Sequence, residues 1–115
     1  MAHPKYILKS SADERFYFSL TAKNGQVILT SQMYTSKANA VNGIVSVQIN
    51  SVRDERFIRY RSADDQHYFN LKANNGQIIG TSEMYTSAQS MENGIESVKL
   101  NGHTVEIEDR SLIDV

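Results

Sequence analysis

Residues 20–47, LTAKNGQVILTSQMYTSKANAVNGIVSV, recur 51 positions later as residues 71–98, LKANNGQIIGTSEMYTSAQSMENGIESV. The two segments align without a gap and share 17 identities over 28 positions. Agreement of this kind indicates an internal duplication in which each copy is one supersecondary unit. The duplicated stretch decides the fold, because each copy must form the same local structure as its twin.

The first half of each copy predicts strands joined by tight turns. In copy one, Phe16, Phe18 and Leu20 alternate with polar residues. This period of two is typical of a strand with one face on a core and one face toward water. Asn24 and Gly25 follow this strand, and they predict a type I′ hairpin turn because both residue types tolerate positive φ.

The second half of each copy predicts a helix. Its single apolar stripe, with positions i, i+4 and i+7, consists of Ala40, Ile44 and Val47. Thr35 or Ser36 can act as the N-cap of this helix. Gly43 lies inside it, where glycine costs about 1 kcal/mol relative to alanine. A close approach of the helix backbone to the sheet would explain that cost.

One further strand follows each helix, at residues 57–61 and 104–108. A one-striped helix and a few strands cannot complete a core alone, so the two copies must pair. The sequence therefore predicts an α+β fold of two tandem β-β-β-α-β repeats, with one continuous antiparallel sheet, two helices on one face and pseudo-twofold symmetry. We assign one domain to residues 1–115, with repeat 1 at 6–50 and repeat 2 at 57–108.

Three short motifs recur in both copies: Leu-x-Ala-x-Asn-Gly, Ser-x-x-Tyr-x-Ser and Asn-Gly-Ile-x-Ser-Val. Their residues in copy one are Leu20, Ala22, Asn24, Gly25, Ser31, Tyr34, Ser36, Asn42, Gly43, Ile44, Ser46 and Val47. This pattern resembles the bacterial YegP-like family of small uncharacterised proteins, over nearly the whole chain. The resemblance implies repeats that form one sheet and exchange their last strands. It implies no established activity and no known catalytic residues.

Composition excludes several classes of function. The chain has no cysteine, which excludes disulfides, a thiolate nucleophile and cysteine-ligated metal sites. No apolar stretch approaches the roughly 20 residues of a membrane helix, and the start of the chain lacks the apolar core of a secretory signal. We therefore expect a cytoplasmic protein without a membrane partner. A formal charge of −1 provides little attraction for nucleic-acid phosphates.

Four residues near the predicted helix starts are candidate ligand-binding residues: Tyr34, Tyr85, Ser36 and Ser87. They would form a symmetric pair of small-ligand pockets. The competing interpretation is structural, with each tyrosine anchoring the helix to the core and each serine capping it. A small enzyme acting at the helix N-termini is an alternative of another class, since free N–H groups there can hold an anion.

The face of the sheet opposite the helices carries two further candidates, Tyr17 and Tyr68. Aromatic residues on a sheet face can stack unpaired bases, so weak binding of single-stranded nucleic acid is a second alternative.

The sequence shows no nucleophile with its base, no paired carboxylates and no phosphate-binding loop. We expect a non-catalytic binding or interaction module of unknown ligand, without catalytic, cofactor-binding or metal-binding residues. We also expect a monomer whose partner is a protein or a small ligand.

Overall fold

The structure is a computed structural model that describes residues 3–111. Its elements, in chain order, are β1 (Lys5–Ser10), β2 (Phe16–Thr21), β3 (Val27–Ser31), α1 (Lys37–Asn50), a 3₁₀ turn (Asp54–Arg56), β4 (Phe57–Arg61), β5 (His67–Lys72), β6 (Ile78–Thr81), α2 (Ala88–Asn101) and β7 (Ile107–Asp109). The predicted alternation of strands and helices is confirmed in both copies.

All seven strands form one sheet in the order β4-β5-β6-β3-β2-β1-β7. The two copies meet at its centre, where β3 and β6 pair antiparallel and Thr30 lies opposite Thr81. These threonines occupy the same position in the two copies, so a pseudo-twofold axis passes between them. Strand β4 joins β5, and β7 joins β1. Each strand that follows a helix thus lies in the other repeat, which confirms the exchange implied by the family resemblance.

One strand pair differs from the predicted antiparallel sheet, because β7 runs parallel to β1 and the sheet is therefore mixed. The cause is the position at which the chain leaves α2. The Tyr6 hydroxyl donates to the Gly102 carbonyl at 2.5 Å, and the Thr104 hydroxyl donates to the Pro4 carbonyl at 3.0 Å. The chain thus enters the sheet beside the start of β1 and runs in the same direction. Strand β7 also begins later than predicted, since Thr104 belongs to this turn.

The hairpin turns differ from the predicted type I′ geometry. Gly25 has φ of +82°, but Asn24 does not have a positive φ. The Gly25 N–H donates to the Ala22 carbonyl at 2.9 Å, and the Asn24 side chain accepts from the Gln26 N–H at 3.0 Å. This is a type I turn followed by a glycine in the left-handed region, the usual three-residue hairpin. Gly76 repeats it with φ of +85°.

Both helices pack on the same face of the sheet and share one core. The fully buried side chains of that core include Tyr6, Phe18, Leu20, Leu29, Ile44, Val47, Phe69, Leu71, Ile95 and Val98. Burial of each large apolar side chain contributes about 1.5–3 kcal/mol, and neither copy contains all the residues that enclose its own helix. The predicted helix stripes are confirmed as the core faces. Within residues 3–111, neither helix has the length and apolarity to cross a membrane.

Candidate functional site

Tyr34 and Tyr85 lie just before the two helices, and each is fixed to its own repeat by backbone hydrogen bonds. Tyr34 exchanges hydrogen bonds of 2.8 and 2.7 Å with Phe16, and Tyr85 exchanges two of 2.8 Å with His67. His67 is half-buried at the position equivalent to Phe16. The two short bridges hold each tyrosine in the same position relative to its helix.

The two tyrosine rings explain the glycines inside the helices. A Cβ atom on Gly43 would lie 2.8 Å from Cζ of Tyr34, and one on Gly94 would lie 2.7 Å from Cζ of Tyr85. Both distances are too short for any side chain. Sequence reasoning predicted a close approach to the sheet, and at Gly43 the sheet residue Phe18 does lie 3.0 Å from the added Cβ, but the nearest atoms at both glycines belong to the tyrosines. The helix backbone is contacted by a tyrosine from the same repeat.

Each tyrosine lines a cleft between the helix of its own repeat and the second hairpin of the other repeat. The first cleft has a volume of about 440 Å³, and its polar lining is Gln32, Tyr34, Asn39, Asn42, Ser46, Asn75 and Gln77. The second has a volume of about 380 Å³, and its polar lining is Tyr85, Ser90, Asn93, Ser97, Asn24 and Gln26. Each residue of the second set is displaced by 51 positions from a counterpart in the first. The two clefts are therefore equivalent in position but not identical, because Ser90 replaces Asn39, and Glu83, which lines an adjoining recess with Tyr85, replaces Gln32.

The two tyrosine hydroxyls are hydrogen-bond donors without a partner among the described residues. Burial raises the pKa of Tyr34. Burial also raises the pKa of Tyr85, with a smaller contribution from the negative charge of Glu83. Both hydroxyls therefore stay protonated at neutral pH and can donate a hydrogen bond. Neither hydroxyl hydrogen-bonds to another residue in the part of the chain that the structure describes.

Ser36 and Ser87 do not join the tyrosines as ligand residues. The Ser36 hydroxyl accepts from the Asn39 N–H at 3.1 Å, and the Ser87 hydroxyl accepts from the Ser90 N–H at 3.0 Å. Both are therefore N-caps, and their oxygens are engaged in the first turn of each helix. The candidate pocket shifts from the helix N-terminus to the flank of the helix, one to two turns further on.

Sequence reasoning missed the asparagine and glutamine residues of the clefts. Asn75 and Gln77 come from a hairpin of repeat 2, yet they face the tyrosine of repeat 1. The Asn-Gly hairpin was recognised only as a turn. The available signal for the cleft was the recurrence of this hairpin together with a polar helix flank, formed in the first copy by Asn39 and Asn42. Using that signal required knowing that the hairpin of one repeat faces the helix of the other.

The remaining candidates, Tyr17 and Tyr68, lie on the face of the sheet opposite the helices. They are at opposite ends of that face, because three successive antiparallel pairings make β2 and β5 run in opposite directions. Tyr68 stacks on Tyr60, with 5.1 Å between ring centroids and an interplanar angle of 18°. The structure does not bring Tyr17 and Tyr68 together, nor does it place either in a cleft with Tyr34 or Tyr85.

Acidic residues in the hairpin turns of the first two strands of each repeat are held by neighbouring side chains. Asp13 accepts hydrogen bonds from the Ser11 hydroxyl and, at 2.8 Å, from the Arg15 guanidinium. Asp64 accepts from the Ser62 hydroxyl. Across residues 3–111, no three His, Asp or Glu side chains are grouped so that they could hold a metal ion.

Comparison with known proteins gives the family. A family described as a domain of unknown function, DUF1508, matches residues 11–57 and again residues 62–109. A UPF0339 protein of Shewanella oneidensis is 52% identical over 104 residues, which cover 90% of this chain and 94% of the relative. The UPF0339 protein YegP of Escherichia coli K12 is 50% identical with the same coverage.

Two solution NMR structures have the same fold. The structure of Escherichia coli YegP, described as a protein of unknown function, has a TM-score of 0.92 and 46% identity, and the match covers 99% of this chain and 98% of that one. The UPF0339 protein of Shewanella oneidensis has a TM-score of 0.90 and 50% identity, covering 94% and 92%. The resemblance to the YegP-like family is thereby confirmed. The chain belongs to the DUF1508 family and carries two copies of its domain.

Proposed function

We propose that this chain is a non-catalytic binding module and that the two tyrosine clefts are its ligand sites. The observation that carries the proposal is the recurrence of the cleft at equivalent positions of both repeats, each with a tyrosine hydroxyl that has no partner among the described residues. A tyrosine that served only to anchor a helix would not need a polar recess beside it. The volumes of the two clefts fall within the range of small-ligand sites, about 300–1,000 Å³.

The lining of the first cleft favours an uncharged polar ligand, whereas the second cleft has Glu83 in an adjoining recess. The first cleft is lined by side-chain amides and hydroxyls together with apolar groups, and no ionised side chain lines it. Amides both donate and accept hydrogen bonds, and the tyrosine hydroxyl adds a further donor. An ionised ligand would lose water there without gaining a countercharge, which is costly. Compounds rich in hydroxyl or amide groups are therefore the class that fits.

We further propose that the protein acts as a cytoplasmic monomer. The absence of cysteine from the sequence suits a reducing compartment without requiring one. The two repeats already bury the surfaces that a symmetric dimer of single repeats would use, since β3 and β6 close the sheet at its centre. These features support the monomer over further pairing through the same faces.

The two alternative functions fit the geometry less well. Stacking of single-stranded nucleic acid on the open face would need aromatic residues in series, whereas Tyr17 and Tyr68 lie at opposite ends and Tyr68 is stacked on Tyr60. Chemistry at the helix N-termini would need the hydroxyls of Ser36 and Ser87, which already act as N-caps.

A ligand screen followed by matched variants tests the proposal. Thermal shift against neutral sugars, polyols and small amides, with charged metabolites alongside, should identify a neutral ligand. At 100 times its dissociation constant, such a ligand adds about 2.7 kcal/mol to the free energy of unfolding. We expect the paired substitutions Tyr34→Phe and Tyr85→Phe to abolish this effect, since they remove only the two hydroxyls.

The matched control is Tyr17→Phe, which removes a hydroxyl from the open face and should leave binding unchanged. Binding that survives the paired cleft substitutions would contradict the assignment of the clefts. Turnover of the bound compound would contradict the non-catalytic part of the proposal. Binding of oligonucleotides that weakens steeply between about 50 and 200 mM salt would support the open face instead.

A further inference from the structure

The two copies differ at the edges of the sheet. The outer edge of β1 is covered by β7: the Tyr6 N–H donates to the Glu106 carbonyl at 2.9 Å, and the Arg110 N–H donates to the Leu8 carbonyl at 2.7 Å. Strand β4 takes the place of β1 in the second copy. Within residues 3–111, β4 pairs with β5 alone, and no strand covers its other edge. The pseudo-symmetric structure thus has one covered edge and one open edge at equivalent positions.

The open edge of β4 presents backbone groups in the arrangement that binds β7 on β1. Arg59 is equivalent to Leu8 and lies opposite Phe69. Phe69 directs its own N–H and carbonyl toward Ser82 on the far side, so the N–H and carbonyl of Arg59 point out of the sheet. The first N–H of this edge, that of Phe57, is already bonded within the chain, because it donates to the Asp54 carbonyl of the 3₁₀ turn. A short strand of about the length of β7 can pair with the remaining backbone groups of this edge.

The strand that covers β1 is acidic and is held by cations. Lys5 binds Glu108 at 2.5 Å, and Lys37 of α1 binds Asp109 at 3.0 Å. Opposite charges on neighbouring strands stabilise their pairing. The edge of β1 therefore pairs with a short acidic strand whose carboxylates are bound by lysines.

The open edge carries arginines in place of the apolar and hydroxyl residues of β1. Arg59 is paired with Glu92 at 2.6 Å and with Asp54 at 3.3 Å. Among residues 3–111, Arg61 has only Asp65 as an ionic partner, at 3.8 Å, with side chains 66% and 86% exposed. A pair so long and so exposed contributes almost nothing. The Arg61 guanidinium is therefore available to a carboxylate on an added strand.

We propose that the outer edge of β4 docks an extended acidic segment of another protein as a parallel strand, in the way that β7 docks on β1. A second copy of this chain is a poorer occupant. Two antiparallel β4 strands would bring their arginines together, and like charges on paired strands repel. The acidic side chains of β7 are already paired with lysines of the same chain. A head-to-tail contact of β4 with β7 of another copy would form an open chain of molecules and not a closed oligomer.

The test uses a synthetic peptide with the sequence of residues 104–110, TVEIEDR, labelled for fluorescence anisotropy and titrated at about 50 mM salt. We expect binding, with the largest changes in the amide NMR spectrum at Arg59 and Arg61 and none at 107–109. Arg61→Glu should weaken binding at least tenfold. The matched control Arg15→Glu makes the same charge change at an exposed turn and should alter binding less than twofold. The peptide TVKIKKR should not bind.

Three results would overturn the proposal. The first is an absence of binding at millimolar peptide, with the amide spectrum showing the chain folded. The second is equal weakening by the two charge reversals, which would indicate unspecific attraction. The third is sedimentation of the protein alone as a concentration-dependent oligomer that Arg61→Glu dissociates, which would assign the edge to a second copy. None of these results bears on the tyrosine clefts, so the two binding proposals fail independently, although the third result would also contradict the proposed monomer.

Discussion

Substitution of Gly94, the helix glycine beside Tyr85, tests two opposing effects on stability: the helix preference for alanine and the contact of the added methyl with the tyrosine ring. Gly94→Ala would normally stabilise a helix interior by about 1 kcal/mol. Here the three nearest atoms to the added Cβ all belong to Tyr85, with Cζ at 2.7 Å. Overpacking of this kind costs about 1–3 kcal/mol. We therefore expect Gly94→Ala to leave the free energy of unfolding unchanged or lower it by up to about 2 kcal/mol.

The sign should reverse when the ring is absent. In a Tyr85→Ala background the three atoms nearest to the added methyl are removed, so Gly94→Ala should raise the free energy of unfolding by about 1 kcal/mol. The double-mutant cycle then gives a coupling of about 1–3 kcal/mol, in the range found for residues in contact. In a Tyr85→Phe background the hydroxyl oxygen, which is the atom nearest to the added Cβ, is removed while Cζ stays at 2.7 Å, so only part of the coupling should persist.

Urea denaturation at 25 °C with a constant slope measures all members of the cycle. The copy at Gly43 and Tyr34 is an internal replicate, although Cε2 of Phe18 also lies 3.0 Å from the added Cβ there, so its reversal should be smaller. If Gly94→Ala stabilises the parent chain as much as it stabilises the Tyr85→Ala variant, the glycine does not serve the tyrosine. The cleft geometry would then not depend on this contact.

Three further predictions concern the frame that holds the sites. Ser51 and Gly102 are copy-equivalent residues that meet at the ends of the two helices, where a Cβ on Gly102 would lie 2.7 Å from that of Ser51 and 2.8 Å from the Val98 carbonyl oxygen. Gly102→Ala should cost about 1–3 kcal/mol in urea denaturation, and adding Ser51→Gly should restore only the part of the loss that is due to Ser51. Hydrogen bonds from Arg110 and, with a smaller effect, from Lys5 lower the pKa of Glu108 to about 2. The stabilisation of β7 by ionised Glu108 should be complete above the unfolded pKa of about 4.3 and lost as the pH falls toward 2. Amide exchange at 107–109 should therefore accelerate, relative to its intrinsic rate, between these pH values. Glu108→Gln should remove this pH dependence. Gly25→Ala adds a Cβ with nothing within 4 Å at φ of +82°, so it should cost about 1–2 kcal/mol through backbone strain alone, and a smaller loss in thermal unfolding would show that the turn relaxes.

Local chemistry made most of the fold predictable. The helix stripe of Ile44 and Val47 and the alternation of Phe18 and Leu20 are properties of neighbouring residues, and both are confirmed as core faces. The caps were predictable for the same reason, because Ser36 bonds a backbone group only three residues away. The duplication predicted that two such units complete one core.

The clefts, the parallel β7 and the open edge of β4 were decided only by the tertiary structure. Each joins groups that are far apart in sequence: Tyr34 faces a hairpin that begins in β5, and β7 is directed by the contact of Tyr6 with Gly102. Periodicity reports which side of an element is apolar, since burial has a local pattern. It does not report which polar side chains of two copies face each other, because that depends on how the copies dock.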